Sequence, residues 1–235
     1  MATTDSGPGG LAEDRALLGR TSTAERVADI LRTRIADGFF PPGDRLAEDT
    51  IGKALGVSRN TLREAFRLLT HERLLVHELN RGVFVRVLAV EDVTDIYRTR
   101  RLVECAVVQG LGEPPYRLEG LDAAVSDGER AAGESDWQGV STANIHFHRE
   151  LVALAGSART DELMRGVLAE LRLAFHVVAD PRRLHRPYLV RNREILEALR
   201  TGKRKEAGRL LADYLDDSRA QLVEAYGERV ADAPA

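Results

Sequence analysis

Arg59, Asn60, Thr61 and Arg63 stand directly behind Ser58, which itself lies two residues past Gly56. Gly56 permits a tight turn between two helices, and Ser58 is placed to cap the second. The four side chains then crowd the first turn of that helix. Partial positive charge and free N–H groups there favour phosphate. Arg59 is positioned so that its planar fork can reach guanine O6 and N7. Arg67 continues the basic face one turn beyond Arg63. Arg45 precedes it in the segment Pro42-Gly43-Asp44-Arg45-Leu46-Ala47-Glu48 and counts with it. Farther along, Asn80-Arg81-Gly82 forms a turn. From it Arg81 can enter a minor groove, while Gly82 lets the backbone approach closely. The chemistry of this set is phosphate pairing and base-edge hydrogen bonding.

The elements that must carry these residues are legible from periodicity. Thr21-Ser22-Thr23 precede Val27, Ile30, Leu31 and Ile35, apolar steps of three and four that predict an amphipathic helix. It stops at Gly38, and Pro41-Pro42-Gly43 seals the break. A short helix is expected over 48–55. The Ser58-capped helix runs to about 72 with Leu62, Ala65, Phe66 and Leu69 inward. Leu74-Leu75-Val76-His77 and Val83-Phe84-Val85-Arg86-Val87 read as two strands around the Asn80-Arg81-Gly82 turn. Three helices and a hairpin in this order outline a winged helix-turn-helix.

From Val90 onward only helices are expected, at roughly 91–111, 116–133, 137–155, 159–179, 183–200 and 203–226. Short loops separate them, so they should pack as an antiparallel bundle. The fold class is therefore mainly α: a winged helix with a small hairpin, then an all-α bundle of about six helices. The expected division is a disordered tail over 1–19, a DNA-binding domain over 20–87, a helical domain over 88–227 and a flexible tail over 228–235.

Composition narrows the functions. The 235 residues are 43% hydrophobic and 30% charged, with a formal net charge of −3. That is a globular mix. Residues 20–87 carry 12 basic and 9 acidic side chains, while the rest carries 22 and 28. A basic segment on an acidic body suits one domain that meets phosphate and one that does not. Cys105 is the one cysteine, which excludes an internal disulfide and a cysteine-based zinc finger. No HExxH, nucleophile elbow, P-loop or dinucleotide fingerprint occurs. No long apolar run and no apolar signal segment occur either, so a cytoplasmic location is expected.

The "PGxxL…LGVSRxTLREA" pattern over about residues 22–87 resembles the winged helix of the GntR family of bacterial transcription regulators. The resemblance implies DNA contacts from Arg59, Asn60, Thr61 and Arg63 and from the wing tip Asn80-Arg81-Gly82. One position departs: family members usually carry an arginine or similar residue after the glutamate matching Glu48, and here it is Asp49. A carboxylate repels phosphate, so Asp49 is not expected to touch DNA.

The second half is similar to the FadR-type FCD effector domain. The similarity rests on Arg100-Arg101-Leu102-Val103-Glu104, Asn144-Ile145-His146-Phe147-His148, Ile195-Leu196-Glu197-Ala198-Leu199 and the final helix. Most such domains bind a divalent metal through an Asp and three His. The matching positions here are Asn144, His148, Asn192 and Tyr214. One imidazole without a carboxylate should not hold a metal, so no metal and no cofactor are expected. His146 points about 200° away from His148's face and cannot replace a ligand. Either the foursome is a set of core polar groups satisfying one another, or it lines a metal-free pocket that hydrogen-bonds a small effector. The pocket is the favoured reading, because burying polar groups unpaired is costly. Arg100 is then the clamp for an acidic effector, with Arg172 and His176, one turn apart on the fourth helix of this domain, as additions to it. Cys105 and Trp137 read as packing residues.

The expectation is a ligand-responsive regulator, a repressor by steric occlusion, binding a palindromic operator as a homodimer. The alternatives are a constitutive DNA binder without an effector, and a metal-dependent helical enzyme suggested by His146-x-His148.

Overall fold

The computed structural model describes residues 22–231 except Val177 and Ala179, with side chains described as far as Gly227. The tail expected over 1–19 lies outside these residues. Helix α1 (Thr23–Ala36) opens with a capping box: Ser22 Oγ accepts from the Glu25 N–H at 3.1 Å, and the Glu25 carboxylate accepts from the Ser22 N–H at 2.6 Å. Its inward stripe is Ala24, Val27, Ala28, Leu31 and Ile35. Helix α2 (Glu48–Leu55) ends on Gly56 at φ +64°, a left-handed cap that a side chain would resist. Helix α3 (Arg59–His71) is capped by Ser58 and buries Leu62, Ala65, Phe66 and Leu69.

A strand that periodicity did not reveal, β1 (Arg45–Leu46), joins β2 (Leu75–Glu78) and β3 (Gly82–Val85) in an antiparallel sheet of order β1-β3-β2. Two residues are too few to show an alternation. The register pairs Arg45 with Phe84 and Glu78 with Gly82. It therefore ties Arg45 to the base of the wing.

The bundle follows as α4 (Val90–Gly110), α5 (Glu119–Gly133), α6 (Trp137–Ala153), α7 (Ala158–Phe175), α8 (Pro181–Arg200) and α9 (Arg204–Ala231). Helix α5 starts three residues later than periodicity suggests, and Tyr116 instead belongs to the preceding loop, where its hydroxyl donates to the Gly112 carbonyl at 2.9 Å. Helix α8 starts two residues earlier: Asp180 accepts from the Arg182 and Arg183 N–H groups and Pro181 fills the first helical position. The flexible tail expected over 228–235 begins inside the last helix, and 232–235 lie outside the described residues. Helix α9 continues through Ala231, since Glu, Arg and Ala are good helix formers and Gly227 alone costs only about 1 kcal/mol.

The core is continuous through both parts, from Leu31 and Leu62 to Phe147, Leu171 and Leu211. Polar contacts also join them. Arg86 donates to Glu170 at 2.9 Å and to Asp92 at 2.6 Å, and Gln138 donates to the Ala36 carbonyl at 3.3 Å. Among the described residues, no helix is long and apolar enough to cross a membrane.

Candidate DNA-reading face and buried polar core

The first turn of α3, the start of α2, β1 and the wing converge on one shallow depression. Its volume is about 370 Å³, and its lining includes Arg45, Asp49, Arg59, Arg63 and Gly82. The recognition side chains are exposed because Leu62, Ala65, Phe66 and Leu69 hold the opposite face of α3 in the core. Asn60 is exposed beside Arg59, and Thr61 is partly covered. Ser58 works first as a cap: its Oγ accepts from the Thr61 N–H at 3.1 Å and lies 2.8 Å from Thr61 Oγ1. Arg67 lies outside this depression, in a neighbouring groove that Arg63 shares with His71 and His77.

Four arginines of this face are paired with carboxylates. Arg59 Nη2 lies 3.0 Å from Asp49 Oδ1, Arg63 Nε is 2.9 Å from Glu48 Oε2, and Arg67 Nη1 is 3.0 Å from Glu64 Oε2. Arg81 pairs with Glu78 and stacks over Phe84, its guanidinium carbon 5.4 Å from the ring centroid. Asn80 takes φ +62° at the wing tip, which asparagine tolerates. Gly82 sits at φ +112°, where an added Cβ would come within 3.2 Å of Arg45 Nε. Asp49 thus has a role that its position in the sequence does not reveal: it holds Arg59 at the mouth of the depression.

The second set is buried in the bundle. Asn144 and His148 from α6, Asn192 from α8 and Tyr214 from α9 come together. Tyr214 Oη donates to Asn144 Oδ1 at 2.8 Å, and Asn192 Nδ2 donates to the same oxygen at 2.9 Å. The His148 and Tyr214 rings meet edge to face at 4.9 Å. Burial pushes the Tyr214 phenol well above its ordinary pKa, so it stays a donor.

Glu104 supplies the carboxylate that the foursome lacks. It is fully buried, accepting from Arg100 Nε at 2.7 Å and from His148 Nδ1 at 2.7 Å. Burial would raise its pKa, but Arg100 and His148 hold it below the ordinary carboxylate value. Burial keeps His148 neutral, so its proton sits on Nδ1 facing Glu104. Glu104 stands four residues from Arg100, a helical ion-pair spacing, and that was the available signal in the sequence. Two expectations change as a result. Arg100 is not a free clamp, since Glu104 occupies its Nε and balances its charge. Arg172 is not in this cluster at all: its Nη2 donates to Thr142 at 2.5 Å in a cleft between α1 and the bundle. His176 also lies toward α1, where the Ile35 carbonyl faces its ring.

Three buried polar atoms here have no partner: Arg100 Nη2, His148 Nε2 and Asn192 Oδ1. The cavity touching Asn144 and Asn192 measures about 10 Å³, room for one water at most. A divalent metal does not fit this donor set. Asn144 Oδ1 is already shared by two donors, Tyr214 is a protonated phenol, and the Arg100 guanidinium stands beside the remaining imidazole. Among the described residues, no group of three His, Cys, Asp or Glu side chains is placed to hold a metal ion.

Trp137 begins α6 partly buried with Arg182 over its ring at 5.8 Å, and Cys105 packs half-buried against the core.

A winged helix with an arginine-lined recognition helix, followed by an all-helical domain with a buried polar cluster, defines a two-domain DNA-binding regulator. The chain belongs to the GntR family: residues 23–85 match the model of bacterial regulatory proteins of the gntR family, and residues 95–217 match the FCD domain. A crystal structure of a GntR transcriptional regulator from Rhodococcus sp. RHA1 is 52% identical, with a TM-score of 0.85, covering 88% of this chain and all of that one. The HTH-type transcriptional regulator YdhC of Bacillus subtilis is 32% identical over 141 residues, 58% of this chain and 62% of its own length. The gluconate operon transcriptional repressor of Bacillus subtilis is 37% identical over 94 residues, 40% of this chain and 38% of the repressor. The chain thus spans less than two thirds of these two curated relatives.

Proposed function

We propose that this protein is a homodimeric transcription regulator of the cytoplasm, not an enzyme, whose two winged helices read the halves of a palindromic operator. In this reading the DNA-binding domain is 20–87, and 88–227 dimerises and answers to a small molecule. The observation that carries it is the convergence of Arg45, Arg59 and Arg63 with Gly82 of the wing on one exposed depression. On DNA, Arg59 leaves Asp49 and forks onto a guanine edge; Asn60, Thr61 and Arg63 follow it along the groove, and Arg67 reaches flanking phosphate. Asn80, Arg81 and Gly82 place the wing at the adjacent minor groove. Two-fold symmetry doubles the contacts, which a single winged helix needs for genomic specificity. Repression requires only occlusion, and a gluconate operon repressor is among the relatives.

The effector in this reading meets the cluster of Arg100, Asn144, His148, Asn192 and Tyr214 without a metal. The unpartnered atoms describe its chemistry: an acceptor for Arg100 Nη2 and hydroxyl or amide donors for His148 Nε2 and Asn192 Oδ1. Because Glu104 already balances Arg100, the effector need not be acidic. The small cavity favours a closed, unliganded arrangement, and it equally favours a constitutive binder with no effector.

The test is selection of an operator from random duplexes, followed by anisotropy titration of wild type and Arg59→Ala. Wild type should select a palindrome that Arg59→Ala no longer distinguishes from random DNA. Selection of the same palindrome by Arg59→Ala would sink the reading. Chelators should leave operator affinity unchanged, and elemental analysis of the purified protein should find no stoichiometric metal. Operator affinity indifferent to a broad set of metabolites would favour the constitutive binder.

A further inference from the structure

Between the C-terminal half of α1 and the facing sides of α6 and α7 lies a cleft of about 380 Å³. That volume is within the range of small-molecule sites, about 300–1,000 Å³. It is separate from the polar cluster: Thr142, His146 and Arg149 line it from a face of α6 turned away from Asn144 and His148. Its floor is apolar, with Ile35, Leu74, Ile145 and Leu168 nearly buried in the protein.

Four arginines line this cleft, and three have carboxylate partners. Arg32 is held by Glu72 through two bonds of 2.7 Å, Arg149 by Glu150 at 3.0 Å and Arg165 by Glu162 at 2.5 Å. Arg172 differs. Among the described residues its one hydrogen bond is to the Thr142 hydroxyl, and no carboxylate there lies within ion-pair distance, Asp37 acting on it only from farther off. Asp37, the carboxylate that lines the cleft, is near Gln138 Nε2 at 3.4 Å. Burial lowers the Arg172 pKa, and Asp37 offsets this only in part. Burial is the main cause that lowers the His146 pKa; Arg149 and Arg172 add to it, and Glu150 and Asp127 oppose it.

A half-buried guanidinium without a carboxylate, above an apolar floor, is complementary to a carboxylate on an apolar body. Helix α1 belongs to the winged helix, and α6 and α7 belong to the bundle. A molecule seated here touches both. We propose that this cleft is a second small-molecule site, for an organic acid whose carboxylate pairs with Arg172 and whose apolar body rests on Ile145, Leu168 and Leu74. Its occupancy holds the winged helix in the docked arrangement, because a ligand that binds only that arrangement shifts the population toward it.

Benzoate is the probe, with benzamide as the uncharged molecule of the same shape, titrated calorimetrically into the full chain. Wild type should bind benzoate and not benzamide. Arg172→Gln should weaken benzoate about tenfold or more through loss of a charge-assisted bond. Tyr214→Phe, altered only in the bundle core, should bind benzoate as wild type does. Ala169→Leu, which fills the cleft and leaves Arg172 in place, should block benzoate, and it decides the matter if Arg172→Gln does not fold. Benzoate should also slow hydrogen exchange along α1 in wild type. The proposal is overturned if neither benzoate nor hexanoate binds, or if benzamide binds equally. Unchanged benzoate affinity in a folded Arg172→Gln, loss of binding in Tyr214→Phe, or α1 exchange that ignores bound benzoate would overturn it as well.

Discussion

Arg59 beside Asp49 and Arg100 beside Glu104 are the same chemical pair at opposite ends of the exposure scale. The first pair is 73% and 66% exposed, and the second 1% and 0%. Water screens the first, so it contributes roughly 0–1 kcal/mol and can be exchanged for a phosphate or a base at little cost. The second has been taken out of water. Each of its groups depends on the other, and releasing either leaves a buried charge. The recognition face is therefore built to swap partners, whereas the bundle core is built to keep them.

The sharpest way to break this comparison is to remove one carboxylate from each pair. Glu104→Leu leaves Arg100 charged and unpaired in the core, and should destabilise the fold by about 3–5 kcal/mol. Asp49→Ala should change stability by less than about 0.5 kcal/mol. Urea denaturation measures both. Equal losses would mean that burial does not distinguish the pairs.

Acid offers a second probe of the core. Burial, reinforced by Arg172, lowers the His185 pKa to about 4, and burial also lowers those of His148, His146 and His176. A histidine whose native pKa lies below its unfolded value of about 6.5 favours the fold while it is neutral. That stability is complete above the unfolded value and is lost as pH falls through the native one. For His185 alone the loss between about pH 6.5 and 4 is up to about 3 kcal/mol. Denaturation midpoints should fall across this window in wild type and fall less steeply in His185→Gln. Midpoints independent of pH would contradict the buried, neutral assignment.

On the exposed face the loss should appear in binding and not in folding. Arg59→Ala should cost roughly 1–3 kcal/mol per half-site in operator affinity, with the unfolding midpoint unchanged. A destabilised Arg59→Ala would show that the Asp49 pair supports the fold.

The difference between the two regions also explains how far the sequence could be read. The recognition helix is local: its turn glycine, cap, basic turn and inward Leu62, Ala65, Phe66 and Leu69 lie within fourteen residues, from Gly56 to Leu69. The wing follows within about a dozen more. Local patterns carry such elements almost completely, apart from two-residue β1, whose pairing with β3 is a tertiary fact. The core cluster is assembled from α4, α6, α8 and α9. The family resemblance pointed to Asn144, His148, Asn192 and Tyr214, and these four do meet. Glu104 stood in a matching segment, but no resemblance states which carboxylate a buried imidazole will choose. Arg172 shows the same limit. Periodicity places its helix at roughly 159–179, and the structure ends it at Phe175; whether Arg172 faces the core or the interdomain cleft depends on how α1 docks.

The smallest expected effect lies at the wing. Arg81 is 70% exposed, pairs with Glu78 on the same hairpin and leans on Phe84. Its guanidinium is thus already near the wing tip, and reaching DNA requires only release from an exposed glutamate. A wing arginine in a minor groove responds to groove width, which A·T-rich sequence narrows and makes more negative. Arg81→Ala should therefore weaken operator binding less than Arg59→Ala does, and the loss should concentrate on operators with A·T-rich flanks. Anisotropy titrations against paired operators, identical in the centre and differing only in the flanks, measure this. A uniform loss across flanks would reduce Arg81 to a phosphate contact, whose signature is a shallower salt dependence. No loss on any flank would mean that the Glu78 pair holds in the complex and that the wing touches DNA through its backbone at Gly82 alone.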